Sequence, residues 1–123
     1  MYFSYEEKRA VYCIAKAMVL ADNNIDKNEM QVLVGEMVRM GCSQEELIKI
    51  EQNNSSIKPT TALARISEMS SEKKRYICAF LGALMVVDGE VDDSEKKLWG
   101  LVSTFCEFPE MTVGEAVQYM ANL

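Results

Sequence analysis

The apolar positions of this chain recur at three- and four-residue intervals, the spacing that lines one face of an α-helix. Val11, Ile14, Ala15, Met18 and Val19 form the first such stripe, opening behind Ser4 and Glu7 in an S-x-x-E pattern. The same pairing of a short cap residue with an acid three positions later recurs at Asp26/Glu29, Ser43/Glu46, Asp92/Glu95 and Thr112/Glu115. Each pair predicts a helix start, because the cap oxygen and the third-position carboxylate satisfy backbone N–H groups that the first turn leaves open. Each cap is worth ~1 kcal/mol. A second helix is predicted from Asp26 to Met40, closed by Gly41, and a third follows Ser43 and fades near Asn53 to Ser56. That polar run, with Pro59, reads as the main loop between two halves. A fourth helix is predicted from Thr60 to Met69, a fifth and most apolar one from Ser71 to Val87, and a sixth from Asp92 to Glu107. Pro109 breaks the chain before a short last helix behind Thr112. No segment alternates as a strand does. The pattern predicts an all-α fold, a compact bundle of about seven helices forming one domain over residues 1–123.

The stripes also repeat. A shift of 66 residues places Asp22 on Asp88, Asp26 on Asp92 and Glu29 on Glu95. It places Ala17 on Ala83, Met18 on Leu84, Ile25 on Val91, Val32 on Leu98 and Leu33 on Trp99. The shared unit is an apolar helix, a D-x-x-(Ile/Val)-D-x-x-E turn and a second amphipathic helix. Two such units, about 4–54 and 71–122, are expected to pack together and bury both apolar faces.

Composition narrows the chemistry. The net charge is −6, and Lys73-Lys74-Arg75 is the nearest approach to a basic cluster, so nucleic acid is not an expected partner. An acidic surface points to cations or to a protein partner with a basic or amphipathic face. The longest apolar run, Ile77 to Val87, is shorter than the roughly 18 residues a membrane span needs, and reads as a buried helix. Met1 to Glu7 is acidic rather than a basic leader, so a cytoplasmic location is expected, with Cys13, Cys42, Cys78 and Cys106 as reduced thiols. Cys42 and Cys106, near predicted helix ends, are the two expected to be exposed. No histidine is present, which removes Ser-His-Asp and Cys-His catalysis and the histidine-containing zinc and di-iron motifs. No enzyme is expected.

The two acidic turns are the candidate chemistry. As structural elements, Asp26 and Asp92 are helix caps, Glu29 and Glu95 complete the capping boxes, and Ile25 and Val91 stand where a hydrophobic staple would hold the entry. Gly89 suits a left-handed helix end. Asp22 and Asp88 fit this less well, since each lies at the negative C-terminal pole of a helix, at a cost of ~0.3–1 kcal/mol. Carboxylates beside orphan helix carbonyls form a hard-oxygen environment suited to Ca²⁺, Mg²⁺ or Mn²⁺, and less to Zn²⁺. The second turn gathers five acids, Asp88, Glu90, Asp92, Asp93 and Glu95, whereas the first holds Asp22, Asp26 and Glu29 beside Lys27. The second is therefore the better cation site. Neither is an EF-hand: the positions that need Gly and a bidentate Glu hold Lys27 and Leu33 in one copy, Asp93 and Trp99 in the other.

The run Val87-Asp88-Gly89-Glu90-Val91-Asp92-Asp93-Ser94-Glu95 resembles the D-G-x-(apolar)-x-x-x-E turn of the TerB-like family, the tellurite-resistance helical domain also similar to the N-terminal region of the DjlA co-chaperone. Leu20 to Glu29 resembles that family's earlier acidic turn, with Asn23-Asn24 where Gly and an acid are usual. The resemblance implies a seven-helix bundle, association with a divalent cation and a part in a multi-protein stress response. The acids it carries over are Asp22, Asp26, Glu29, Asp88, Glu90, Asp92 and Glu95. The competing expectation is a helical interaction scaffold in which the turns serve only as caps. The nine methionines would suit an adaptable groove, although Met18, Met30, Met37, Met40, Met69 and Met85 fall on core stripes.

Overall fold

Side-chain caps start six of the seven α-helices in the computed structural model, which describes residues 1–21, 26–87 and 89–123. The helices are α1 (Tyr5–Val19), α2 (Lys27–Arg39), α3 (Gln44–Gln52), α4 (Pro59–Ser67), α5 (Ser71–Leu84), α6 (Asp93–Phe105) and α7 (Val113–Ala121). A single 3-10 turn, Asn54–Ser56, replaces the expected polar loop, and no strand occurs among the described residues. The caps are Ser4, Asp26, Ser43, Ser70, Asp92 and Thr112, each accepting from a backbone N–H of its helix's first turn. Helix α4 has no such cap and starts on Pro59 itself. Pro59, expected in the loop, instead takes the first helical position, which loses nothing by lacking an N–H. Helix α5 stops at Leu84, three residues short of the expectation, and continues as turns through Val87. Gly41 and Gly89 have φ of 105° and 84°, the left-handed geometry that lets the chain leave a helix.

The reciprocal half of the capping box forms at Ser4/Glu7 and Thr112/Glu115. Glu46 is drawn instead into an ion pair with the buried Lys8, so the box at Ser43 stays half-made. At Asp26 and Asp92 the aspartate caps its helix by accepting first-turn N–H groups.

Helices α1 and α5 form the centre. Helix α1 packs most closely on α4, and α5 on α7, while α1 also meets α6 and α2 also meets α5. Each half thus lends its first helix to the second helix of the other. Burial corresponds at positions 66 apart: Met18 and Leu84, Leu33 and Trp99, Glu29 and Glu95 are all buried. Gly82 permits the closest approach, since a Cβ there would stand 2.8 Å from both the Ala116 Cβ and the Trp99 ring. The Trp99 indole N–H donates to the Cys78 carbonyl at 3.1 Å, which satisfies its polar edge inside the core.

Met18, Met37, Met40, Met69 and Met85 are core residues and Met30 is half-buried, so these methionines fill space between helices. All four cysteines are buried, Cys42 and Cys106 included, at 5% and 0% exposure. Position near a helix end misleads there, because both helix ends are themselves covered by neighbouring elements. Burial pushes the Cys42 and Cys106 thiols up to about 11. No helix among the described residues is long and apolar enough to cross a membrane.

Candidate functional site

Each acidic turn delivers its chain into a helix through an aspartate cap. Asp26 Oδ1 accepts the Glu29 N–H at 2.9 Å. Asp92 Oδ1 accepts two N–H groups, from Ser94 at 2.8 Å and Glu95 at 3.2 Å. In both turns the capping bonds engage one carboxylate oxygen, Oδ1. Val91 is 42% exposed, so it does not act as a staple. The residue four into α6 from that cap is Lys96, which offers no apolar partner. Ile25, with Asn23, Asn24 and the proposed ligands Asp22 and Asp88, lies outside the described residues.

Glu29 and Glu95 distinguish the two turns from the other helix starts. Both are 3% exposed. The corresponding glutamates elsewhere lie near the surface: Glu7 and Glu46 are half-buried and Glu115 is exposed. A carboxylate that only completes a capping box gains nothing from burial, which removes its hydration at a cost of several kcal/mol in order of magnitude. Glu29 and Glu95, like Glu90, take part in interactions of their own. Glu90 itself is exposed, as is Asp93, so the second turn's extra charge faces solvent.

Among the described residues no three Asp, Glu or Cys side chains gather closely enough to hold a metal ion. A carboxylate-rich cation site at either turn therefore draws on Asp22 or Asp88. The donor chemistry fits a hard divalent cation, since each turn pairs a buried glutamate with a capping aspartate and contains no soft ligand.

One buried acid escapes the sequence reading. Glu36 shares the buried face of α2 with Glu29, Leu33 and Met37. Its Oε1 meets the half-exposed Arg39 guanidinium at 3.2 Å, and its Oε2 is buried without a hydrogen-bond partner. Burial pushes its carboxyl above the usual range, against the pull of Arg39. The signal was available: Glu36 stands seven residues after Glu29, on the same helix face and within the apolar stripe.

Two of the grooves formed by the described residues flank the bundle. One of about 310 Å³ between α1, α2 and α3 is walled by Tyr12, Met30, Val34, Leu47 and Ile48. The other, of about 860 Å³, lies between α6, the following loop and the start of α7. Neither contains Asp26, Glu29, Asp92 or Glu95 in its wall.

No family model matches the sequence, and no curated protein matches it. Among solved structures, the crystal structure of a protein of unknown function from Porphyromonas gingivalis is similar, with 40% sequence identity and a TM-score of 0.87 over 99% of this chain and 92% of that one.

Proposed function

The chain belongs to the same family as the Porphyromonas gingivalis protein, and we propose that it is a non-enzymatic acidic module of TerB type that binds divalent cations through its two turns. The supporting observation is the burial of Glu29 and Glu95 at matched positions, one in each turn. Bound Ca²⁺, Mg²⁺ or Mn²⁺ would take these two carboxylates among its oxygen ligands. Asp26 and Asp92 would present the carboxylate oxygen that capping does not use, and Asp22 and Asp88 would complete the charge at the helix C-terminal poles. Glu90 would add to the second turn, which remains the stronger candidate. The cellular role proposed with it is cytoplasmic participation in a multi-protein stress response of the tellurite-resistance kind.

Ligand that binds only the folded state raises the melting temperature. Chelator-treated protein melted in Ca²⁺, Mg²⁺, Mn²⁺ and Zn²⁺ is expected to gain several degrees in at least one of the first three. Unchanged melting in all four, with unchanged amide NMR shifts near both turns, overturns the proposal.

The second reading is a scaffold whose turns act only as caps. It is favoured by the apolar groove walled by Tyr12, Met30, Val34, Leu47 and Ile48. That groove is suited to the apolar face of an amphipathic helix. Ile48→Glu is expected to abolish capture of such a partner while leaving melting within about 0.5 kcal/mol of wild type, as at other surface positions. Capture that persists removes this reading.

A further inference from the structure

We propose that the larger groove, between α6 and α7, binds a basic peptide segment of a partner protein. The inference is independent of cation binding at the turns, since the groove shares no acidic residue with them.

The groove is built by the end of α6. Cys106 closes the helix, Glu107 takes a left-handed φ of 55°, and the Phe108 N–H bonds back to the Ser103 carbonyl at 2.9 Å. Pro109 then forbids further helix. This exit puts Glu107 and Glu110 in the groove wall, together with Glu115 on the first turn of α7. Trp99, Phe108 and Met111 contribute its apolar wall. No Lys or Arg lines it. The negative pole of α6 points the same way and adds to the potential.

Charge complementarity identifies the occupant. Glu6, Glu7, Glu36, Glu46 and Glu51 each lie within ion-pair distance of a Lys or Arg of the chain itself. Glu107, Glu110 and Glu115 form no ion pair among the described residues. Glu107 and Glu110, with Glu115 whose Oε1 also accepts the Thr112 N–H, stand over an aromatic and methionine wall; this matches Lys or Arg side chains, whose methylene stems lie on apolar surface while their heads reach acids. A divalent ion is a poor match, because these carboxylates do not gather as a metal-ligating group. A neighbouring pocket of about 300 Å³ shares Glu107 and Pro109 and presents Lys74 and Arg75. Its two basic residues end the acidic run.

Trp99, the single tryptophan, lines the groove and reports on it. The full chain is titrated with a blocked ten-residue peptide carrying two arginines on either side of a leucine pair, and with the same peptide bearing glutamates instead. A saturable change in Trp99 emission is expected with the first peptide alone. The affinity is expected to fall about tenfold in Glu107→Gln/Glu110→Gln and to hold in Glu45→Gln/Glu68→Gln, which removes the same charge from exposed positions elsewhere. Equal weakening by both variant pairs would mean attraction by net charge alone and overturns the proposal. So does the absence of saturation, and so does spermine producing the same signal at equal affinity, which would make the groove a small-cation site.

Discussion

Gly82 gives the packing of the second half its sharpest test. An added Cβ would lie 2.8 Å from the Ala116 Cβ and from the Trp99 ring, closer than van der Waals contact allows. Trp99 cannot retreat freely, since it is buried and its indole N–H is bonded to the Cys78 carbonyl. Overpacking of this kind costs about 1–3 kcal/mol. Alanine in a helix interior gains about 1 kcal/mol over glycine. Gly82→Ala is therefore expected to range from neutral to about 2 kcal/mol destabilised. Gly100 and Gly35 supply the reference, because each is helical with nothing within 4 Å of an added Cβ. Alanine at either should stabilise by about 0.5–1 kcal/mol. The gap between Gly82→Ala and Gly100→Ala is thus expected at about 1–3 kcal/mol, or roughly 4–12 °C in melting temperature for a domain of this size. Urea denaturation followed by circular dichroism measures it. If Gly82→Ala stabilises as much as Gly100→Ala, the close crossing of α5, α6 and α7 is refuted.

Glu36→Gln is expected to stabilise the protein at pH 7 by about 1 kcal/mol, because it removes a buried charge whose partner Arg39 is largely hydrated; a loss above that size in a urea melt would assign Glu36 a needed ionic role. The sign follows from its raised carboxyl: the folded state holds the proton to higher pH, so wild-type stability falls as pH rises through that value, and Glu36→Gln lacks this slope. Glu46 and Glu7 act oppositely. The Lys8 ammonium lowers Glu46, and at Glu7 the Ser4 N–H and Lys73 outweigh the upward push of burial. Their contribution is complete above the ordinary value of 4.5 and is lost as pH falls through the lowered folded values. Lys8→Met should accordingly flatten the acid limb of a stability-against-pH curve, and an unchanged limb would show that the Lys8–Glu46 pair does not form in solution. Asp92→Ala is expected to cost ~1 kcal/mol from the cap alone, measured in metal-free buffer, and a neutral result contradicts the double hydrogen bond at that position.

The helices were legible because their starts depend on local chemistry. Ser4, Asp26, Ser43, Asp92 and Thr112 each cap as their spacing predicts. Ser70 also caps, but Lys73 occupies the third position, so no acidic signature marked it. Tertiary contacts decided what spacing could not. Glu46 left its box for a lysine far away in sequence. Cys42 and Cys106 are covered by other helices, which a helix-end position does not disclose. The repeat drew attention to Asp22 and Asp88, whereas the structure places the unusual burial at Glu29 and Glu95. The α6–α7 groove was invisible, because its three acids come from a loop and a helix start that no motif connects.

The central claim is that the two turns hold divalent cations through their buried glutamates. Isothermal titration of chelator-treated protein with Ca²⁺, Mg²⁺ and Mn²⁺ tests it most directly, with Glu29→Gln and Glu95→Gln titrated alongside after their folding is checked by circular dichroism. Saturable binding is expected for wild type, weakened by Glu29→Gln and weakened more by Glu95→Gln. The absence of binding heat with all three ions, or wild-type binding in both variants, would contradict it.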